Sequence, residues 1–177
     1  MENNVLPRSL SWIRKAFSRT IQFTDANNQS IGGIGFEPFD SAVYAQINNT
    51  KLTFDITGFI NKEVTISNEN DDVLGHIHLK FRSKAEVVLT NGEVYIWRRE
   101  DFFQHNWTLI HDLPNSDEDY PAVTYSRTRD FFTELGSINI KEHSDNEDLL
   151  VLTGFFIGFY FLRRRRKAAA IGAVAAG

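Results

Sequence analysis

From Phe23 to Phe102, apolar and polar residues alternate in short runs, and the runs are separated by clusters of Asn, Asp, Gly and Ser. Alternation of period two places every second side chain on one face of a strand. Asn and Asp suit tight turns because they tolerate positive φ and bond their own backbone. HIHLKF, AEVVLT and VYIWR show the β-branched and aromatic enrichment of strands, and NGE at 91–93 is a strong short hairpin signal. TYSRTRDFF and SINIKE extend the series. The pattern predicts a mainly β chain made of hairpins.

The hairpins repeat. FTDANNQSIGGIGFEPFDSAVYAQINNTKLTFDITGF, from Phe23, aligns without gaps on ISNENDDVLGHIHLKFRSKAEVVLTNGEVYIWRREDF, from Ile66. In that register Asp25 meets Asn68, Asn27 meets Asn70, Gly32 meets Gly75 and Ile34 meets Ile77. Further on, Ala42 meets Ala85, Asn48 meets Asn91, Leu52 meets Tyr95, Phe54 meets Trp97 and Phe59 meets Phe102. WTLIHD at 107–112 falls under VTISNE at 64–69, which predicts a third copy interrupted by the acidic loop LPNSDEDYP.

After EHSDNEDLL the period changes. Residues 149–162, LLVLTGFFIGFYFL, are apolar apart from Thr153, Gly154 and Gly158. They predict a helix capped by Ser144 or Asp145, with Glu147 and Asp148 in its first turn and Arg163–Lys167 at its far end, an arrangement that suits the helix dipole. A helix apolar on every side is surrounded either by protein or by lipid. Fourteen residues span about 21 Å, short of the ~30 Å hydrocarbon core of a bilayer. Burial in protein is therefore expected, and a closed barrel of hairpins is a host whose interior something must fill. The two glycines let the wall approach the helix backbone. They also form a GxxxG, a motif of paired membrane helices.

Composition narrows the chemistry. There is no cysteine, which removes disulfides, thiolate metal sites and a cysteine nucleophile, and fits a reducing compartment. The net charge of -4 hides an acidic body, because five of the 19 Lys and Arg stand together at 163–167. Nucleic-acid binding is not expected from so concentrated a basic spot. MENNVLPRSLSWIRKAF lacks the apolar stretch of a secretory signal. The acid-free basic residues Arg8, Arg14, Lys15 and Arg19 read as a lead-in to the domain in preference to a transit peptide.

The hairpin repeats, the pattern SIGGIGF and VLGHIHL after each Asn/Asp turn, and the final apolar helix together resemble the tubby-like superfamily. That superfamily includes the tubby C-terminal domains, the LURP-one-related proteins and the phospholipid scramblases. The resemblance implies a fold that is mainly β (α+β): a closed antiparallel β-barrel around a buried hydrophobic C-terminal helix. Its implied layout is a flexible N-terminus at 1–9, the barrel with its central helix at 10–162, and a basic, Ala/Gly-rich tail at 163–177. Tubby domains bind phosphoinositide headgroups through basic side chains on the barrel, but no motif here matches those positions. The cysteine-rich and proline-rich segments of scramblases are absent.

Candidate chemistry is sparse. His76 and His78 form an HxH on one strand face, with no third ligand in view, and read as strand histidines. Asp25-x-Asn27-x-Gln29 and Asn68-x-Asn70-x-Asp72 start like calcium loops. Both then lack the glycine at position six, where Ser30 and Val73 stand, and the glutamate at position twelve, where Phe36 and Leu79 stand, so they read as turns. No nucleophile elbow, phosphate loop or zinc-protease motif occurs. The expectation is a cytoplasmic, non-enzymatic binding or scaffold module without cofactor or metal, peripheral to a membrane and partnered by anionic phospholipid or protein. Arg163, Arg164, Arg165, Arg166 and Lys167 are its candidate lipid-binding residues. The alternative is a tail-anchored protein with 149–162 as a short membrane span.

Overall fold

The structure, a computed structural model, describes residues 8–36, 41–58, 62–80, 83–116 and 118–175. Its strands are β1 (Ser9–Lys15), β2 (Thr20–Thr24), β3 (Ser30–Gly35), β4 (Ala42–Ile47), β5 (Thr50–Thr57), β6 (Glu63–Ser67) and β7 (Val73–Lys80). They continue as β8 (Lys84–Leu89), β9 (Val94–Arg99), β10 (Asn106–His111), β11 (Tyr120–Ser126), β12 (Thr128–Asp130) and β13 (Thr133–Ile140), followed by the helix α1 (Glu147–Ala175). Each strand pairs antiparallel with the next from β1 to β11, β11 pairs with β13, and β13 returns to β1, from Ser9 opposite Asn139 to Lys15 opposite Thr133. The result is a closed barrel of 12 strands. The short β12 continues β11 beyond Arg127 and pairs with the same β13.

Closure leaves no free edge along the wall, and period two sends alternate residues inward. In β4, Val43, Ala45 and Ile47 are buried; in β9, Tyr95 and Trp97 are. The repeat is visible in the backbone. Thr20 pairs with Gly35 as Glu63 pairs with His78, and both hairpins carry a bulge at the same place, after Phe23 and after Ile66. The turns match too. Asp25 Oδ1 accepts from the N–H groups of Asn27 (2.9 Å) and Gln29 (2.8 Å), and Asn68 Oδ1 accepts from those of Asn70 (2.9 Å) and Asp72 (3.0 Å). These are Asx turns. β10 begins where the third copy was expected.

The gap-free alignment fails in one strand. Ile34 pairs with Ala45, but its repeat-mate Ile77 pairs with Val87 instead of Val88. The inward residues Val43, Ala45 and Ile47 therefore correspond to Ala85, Val87 and Leu89, so Ala42 does not match Ala85. The next turn restores the register: Ile47 pairs with Thr50 across two residues, whereas Leu89 N–H donates to Glu93 O across three. The Phe59–Phe102 match lies outside the described residues.

α1 fills the barrel. Leu149 to Phe159, Phe161 and Leu162 are buried, and aromatic rings from the wall close on them. Phe54 stacks on Phe156 with centroids 4.4 Å apart, while Trp12 meets Phe155 and Phe159 edge-on at 5.3 and 5.2 Å. Trp97 Nε1 and the Tyr125 hydroxyl donate to helix carbonyls, at Gly154 (3.1 Å) and at Leu150 and Val151 (3.1 Å each). Residues 149–162 thus lie within protein, and the alternative of a membrane anchor gains no support. Among the described residues no helix is long and apolar enough to cross a membrane.

Three expectations about the helix need correction. It starts at Glu147, and Leu150 N–H bonds Asn146 O, so Asn146 stands at the cap position in place of Ser144 or Asp145. It does not stop at Leu162. One helix runs through the arginines to Ala175, because Arg, Lys and Ala are all strong helix formers and nothing there breaks the backbone ladder. Residues 163–175 of the expected tail continue this helix, and the basic run is not its last turn, so the expected pairing with the dipole falls away. At the other terminus, residues 1–7 of the expected flexible segment lie outside the described residues. Arg8 pairs with Glu147 and Asp148, and Ser9 already belongs to β1.

Candidate functional site at the helix exit

Antiparallel closure sorts the turns between two ends. The Asx turns, the β8–β9 turn and the 112–119 loop surround the start of α1. The β1–β2, β9–β10 and β12–β13 turns surround the point where α1 leaves the barrel. Charge follows that division only in part, because the exit turns carry Glu100, Asp101 and Asp130 beside their cations. Asp25, Glu69, Asp72, Glu93, Asp119 and Asp145 stand near the helix start, while the cations of α1 stand at its exit.

The exit holds a cavity of about 440 Å³ between α1 and the wall formed by β4 and β5. Its apolar side is made by Phe36, Val43, Ile56, Phe156 and Tyr160. Lys62, Arg163, Arg164 and Lys167 supply four cations, and no carboxylate lines the cavity among the described residues. The Arg163 guanidinium lies 5.0 Å from the Phe36 ring centroid, and Lys62 Nζ lies 5.9 Å from that of Tyr160. Burial, and then the charge of Arg14, hold the Arg163 pKa below its ordinary value. Its charge is thus under-compensated, and an anion placed in the cavity relieves that.

The five basic residues take different roles. Arg163, Arg164 and Lys167 line the cavity. Arg166 turns the other way and pairs with Glu134, whose carboxylate is 5% exposed. Arg14 Nη2 lies 2.7 Å from Glu134 Oε2, and Arg127 Nη1 lies 3.1 Å from Oε1, so three guanidiniums share one carboxylate. Burial opposes the Glu134 charge, but the Arg166 hydrogen bond and the charges of Arg166, Arg14 and Arg127 outweigh it and hold the pKa below the usual carboxylate range. Arg165 places its guanidinium 5.6 Å from the ring centroid of Phe102.

Sequence reading missed Lys62, Phe36 and Tyr160. Phe156, Tyr160, Arg164 and Arg163, Lys167 follow helical i, i+4 spacing, so continuing the helix past Leu162 reveals the lining face. His76 and His78 both approach Glu63, at 3.1 and 3.9 Å. No group of three or more metal-ligating side chains occurs among the described residues.

No family model matches this chain, and no curated protein does. Its fold is similar to the crystal structure of a protein from Arabidopsis thaliana, with a TM-score of 0.54 over 89% of this chain and 91% of that one. Sequence identity is 11%, so the likeness is one of fold alone.

Proposed function

We propose that the chain is a non-enzymatic, tubby-like binding module, cytoplasmic and peripheral to a membrane, that holds the headgroup of an anionic phospholipid in the helix-exit cavity. The observation that carries this reading is the lining: four cations facing an aromatic and aliphatic wall, with no carboxylate beside them among the described residues. A phosphate with an apolar body matches both halves of such a site. Cations and rings hold and orient an anion, and the described lining offers no carboxylate or imidazole to move a proton.

Liposome flotation tests the proposal. Vesicles of phosphatidylcholine with phosphatidylserine should carry the protein upward, and phosphatidylcholine alone should not. Replacing Arg163, Arg164 and Lys167 by Gln should weaken binding, since each cation near an anionic surface contributes about 1 kcal/mol. Equal behaviour with both vesicle types sinks the proposal.

A further inference from the structure

The most exposed phenylalanines gather at one end of the barrel. Phe17 is 99% exposed, Phe131 92%, Phe132 72%, Phe102 70% and Phe103 63%. They occupy the β1–β2, β12–β13 and β9–β10 turns, all of which surround the exit of α1. None of the turns around the helix start carries an exposed phenylalanine among the described residues. Phe17 sits at φ 61°, in the left-handed region that disfavours a bulky side chain. Glycine, which lacks a Cβ, fits that turn with less strain, and the Phe17 ring stands almost wholly in solvent. Phe17, Phe131 and Phe132 border one cleft, which the cations Arg14, Lys15 and Arg129 share with the carboxylates Asp130 and Glu134.

Beyond Lys167 the helix leaves the barrel and carries no charge. Ala168 to Gly172 are exposed, Ile171 to 72%. The eight residues from Ala168 to Ala175 extend about 12 Å. Aromatic turn tips, a collar in which the cations of the turns and of α1 outnumber Glu100, Asp101, Asp130 and Glu134, and an uncharged helical stub thus share one end, opposite the acidic turns at the helix start.

We infer that this end is a membrane-docking face. The phenylalanine tips and the stub of α1 enter the interfacial layer of an anionic bilayer, with the collar at headgroup level. The inference rests on the proposed headgroup site and extends it from binding to insertion and orientation. Charge complementarity selects the bilayer. A second copy presents the same positive end and is repelled, whereas an anionic surface attracts the collar and repels the acidic turns opposite. Aromatic rings are at home at the membrane–water interface.

The full chain can report this directly. Because it has no cysteine, Phe132→Cys labelled with an environment-sensitive fluorophore reads one turn tip, and Asn70→Cys labelled likewise reads the opposite end. On phosphatidylserine-containing vesicles the label at 132 should shift to the blue and be quenched by brominated acyl chains, while the label at 70 should do neither. Phe17→Ala/Phe131→Ala/Phe132→Ala, all exposed positions, should keep the thermal melt and lose at least about tenfold in partition. Its residual binding should vanish in high salt, where that of the parent persists in part. Unchanged binding by the triple variant, with no response at 132, overturns insertion and leaves the headgroup site standing. Failure of the parent to bind any vesicle removes both. Self-association in sedimentation that the triple variant abolishes assigns the face to a second copy and overturns the inference.

Discussion

Trp107 lies directly against Gly158: a Cβ added to the glycine meets Cε2 of the indole at 2.6 Å and Nε1 at 2.7 Å. Gly154 stands in the same relation to Tyr125, whose hydroxyl is 2.3 Å from the position a Cβ takes. The spacing of the two glycines therefore serves the contact between α1 and the barrel wall, and no partner helix is needed to explain it. Gly158→Ala should destabilise the fold by about 1–3 kcal/mol through overpacking, although alanine is the better helix former by about 1 kcal/mol. Urea unfolding measures the difference. A variant as stable as the parent shows that Trp107 moves aside freely.

Burial predicts how α1 exchanges its amide protons. Leu150 to Leu162 sit inside a closed wall, and Ala168 to Gly172 are exposed although they belong to the same element. Amides at 154–162 should be among the last in the protein to exchange, close to the global unfolding limit, and those at 168–172 should exchange orders of magnitude faster. Hydrogen exchange in detergent-free buffer checks this. Fast exchange across 154–162 contradicts an enclosed helix.

The repeat predicts equal energetics at two distant turns. Asp25 and Asn68 each accept two backbone N–H groups, with distances between 2.8 and 3.0 Å. Asp25→Ala and Asn68→Ala should each cost about 1–2 kcal/mol, the two values agreeing closely. Calcium should leave the melting temperature of the parent unchanged, because neither loop has the glycine at position six or the glutamate at position twelve that a calcium loop needs. A calcium-dependent rise in melting temperature returns the calcium-loop reading.

These cases show which features the sequence displays. Turn chemistry and inward alternation are local, so the hairpin of β2 and β3 and its copy in β6 and β7 are legible, although the bulge they share is seen only in the structure. The slip in β8 is not. Val87, Val88 and Leu89 are consecutive apolar residues, so alternation cannot choose between two registers that differ by one. The end of α1 is obscured differently. Five charges look like a terminus, yet helix propensity there is high throughout, and only the position of the barrel mouth decides where burial stops. The Glu134 cluster joins residues 14, 127, 134 and 166, which no spacing along the chain connects. The cavity is half legible: Arg163, Arg164 and Lys167 are conspicuous in sequence, but Lys62 and Phe36 reach the site only through closure of the barrel.

Glu134 makes the strongest prediction about pH. Its carboxylate is shared by Arg14, Arg127 and Arg166, and its pKa lies below the ordinary range in the folded state. A carboxylate depressed on folding contributes stability above its unfolded pKa, about 4.3, and loses that contribution as pH falls through the folded value. Glu134→Gln keeps the shape and removes the charge, leaving three guanidiniums facing one another. At neutral pH it should cost about 3 kcal/mol, toward the low end for a broken buried pair because Arg14 and Arg166 keep contact with water. The gap between parent and variant should stay level from about pH 6 to 8 and shrink below about pH 4, where the parent's own carboxyl gains a proton. Denaturant unfolding across that range tests the sign: a gap that widens in acid is incompatible with a depressed Glu134, and a gap near zero at pH 7 means the guanidiniums find other partners.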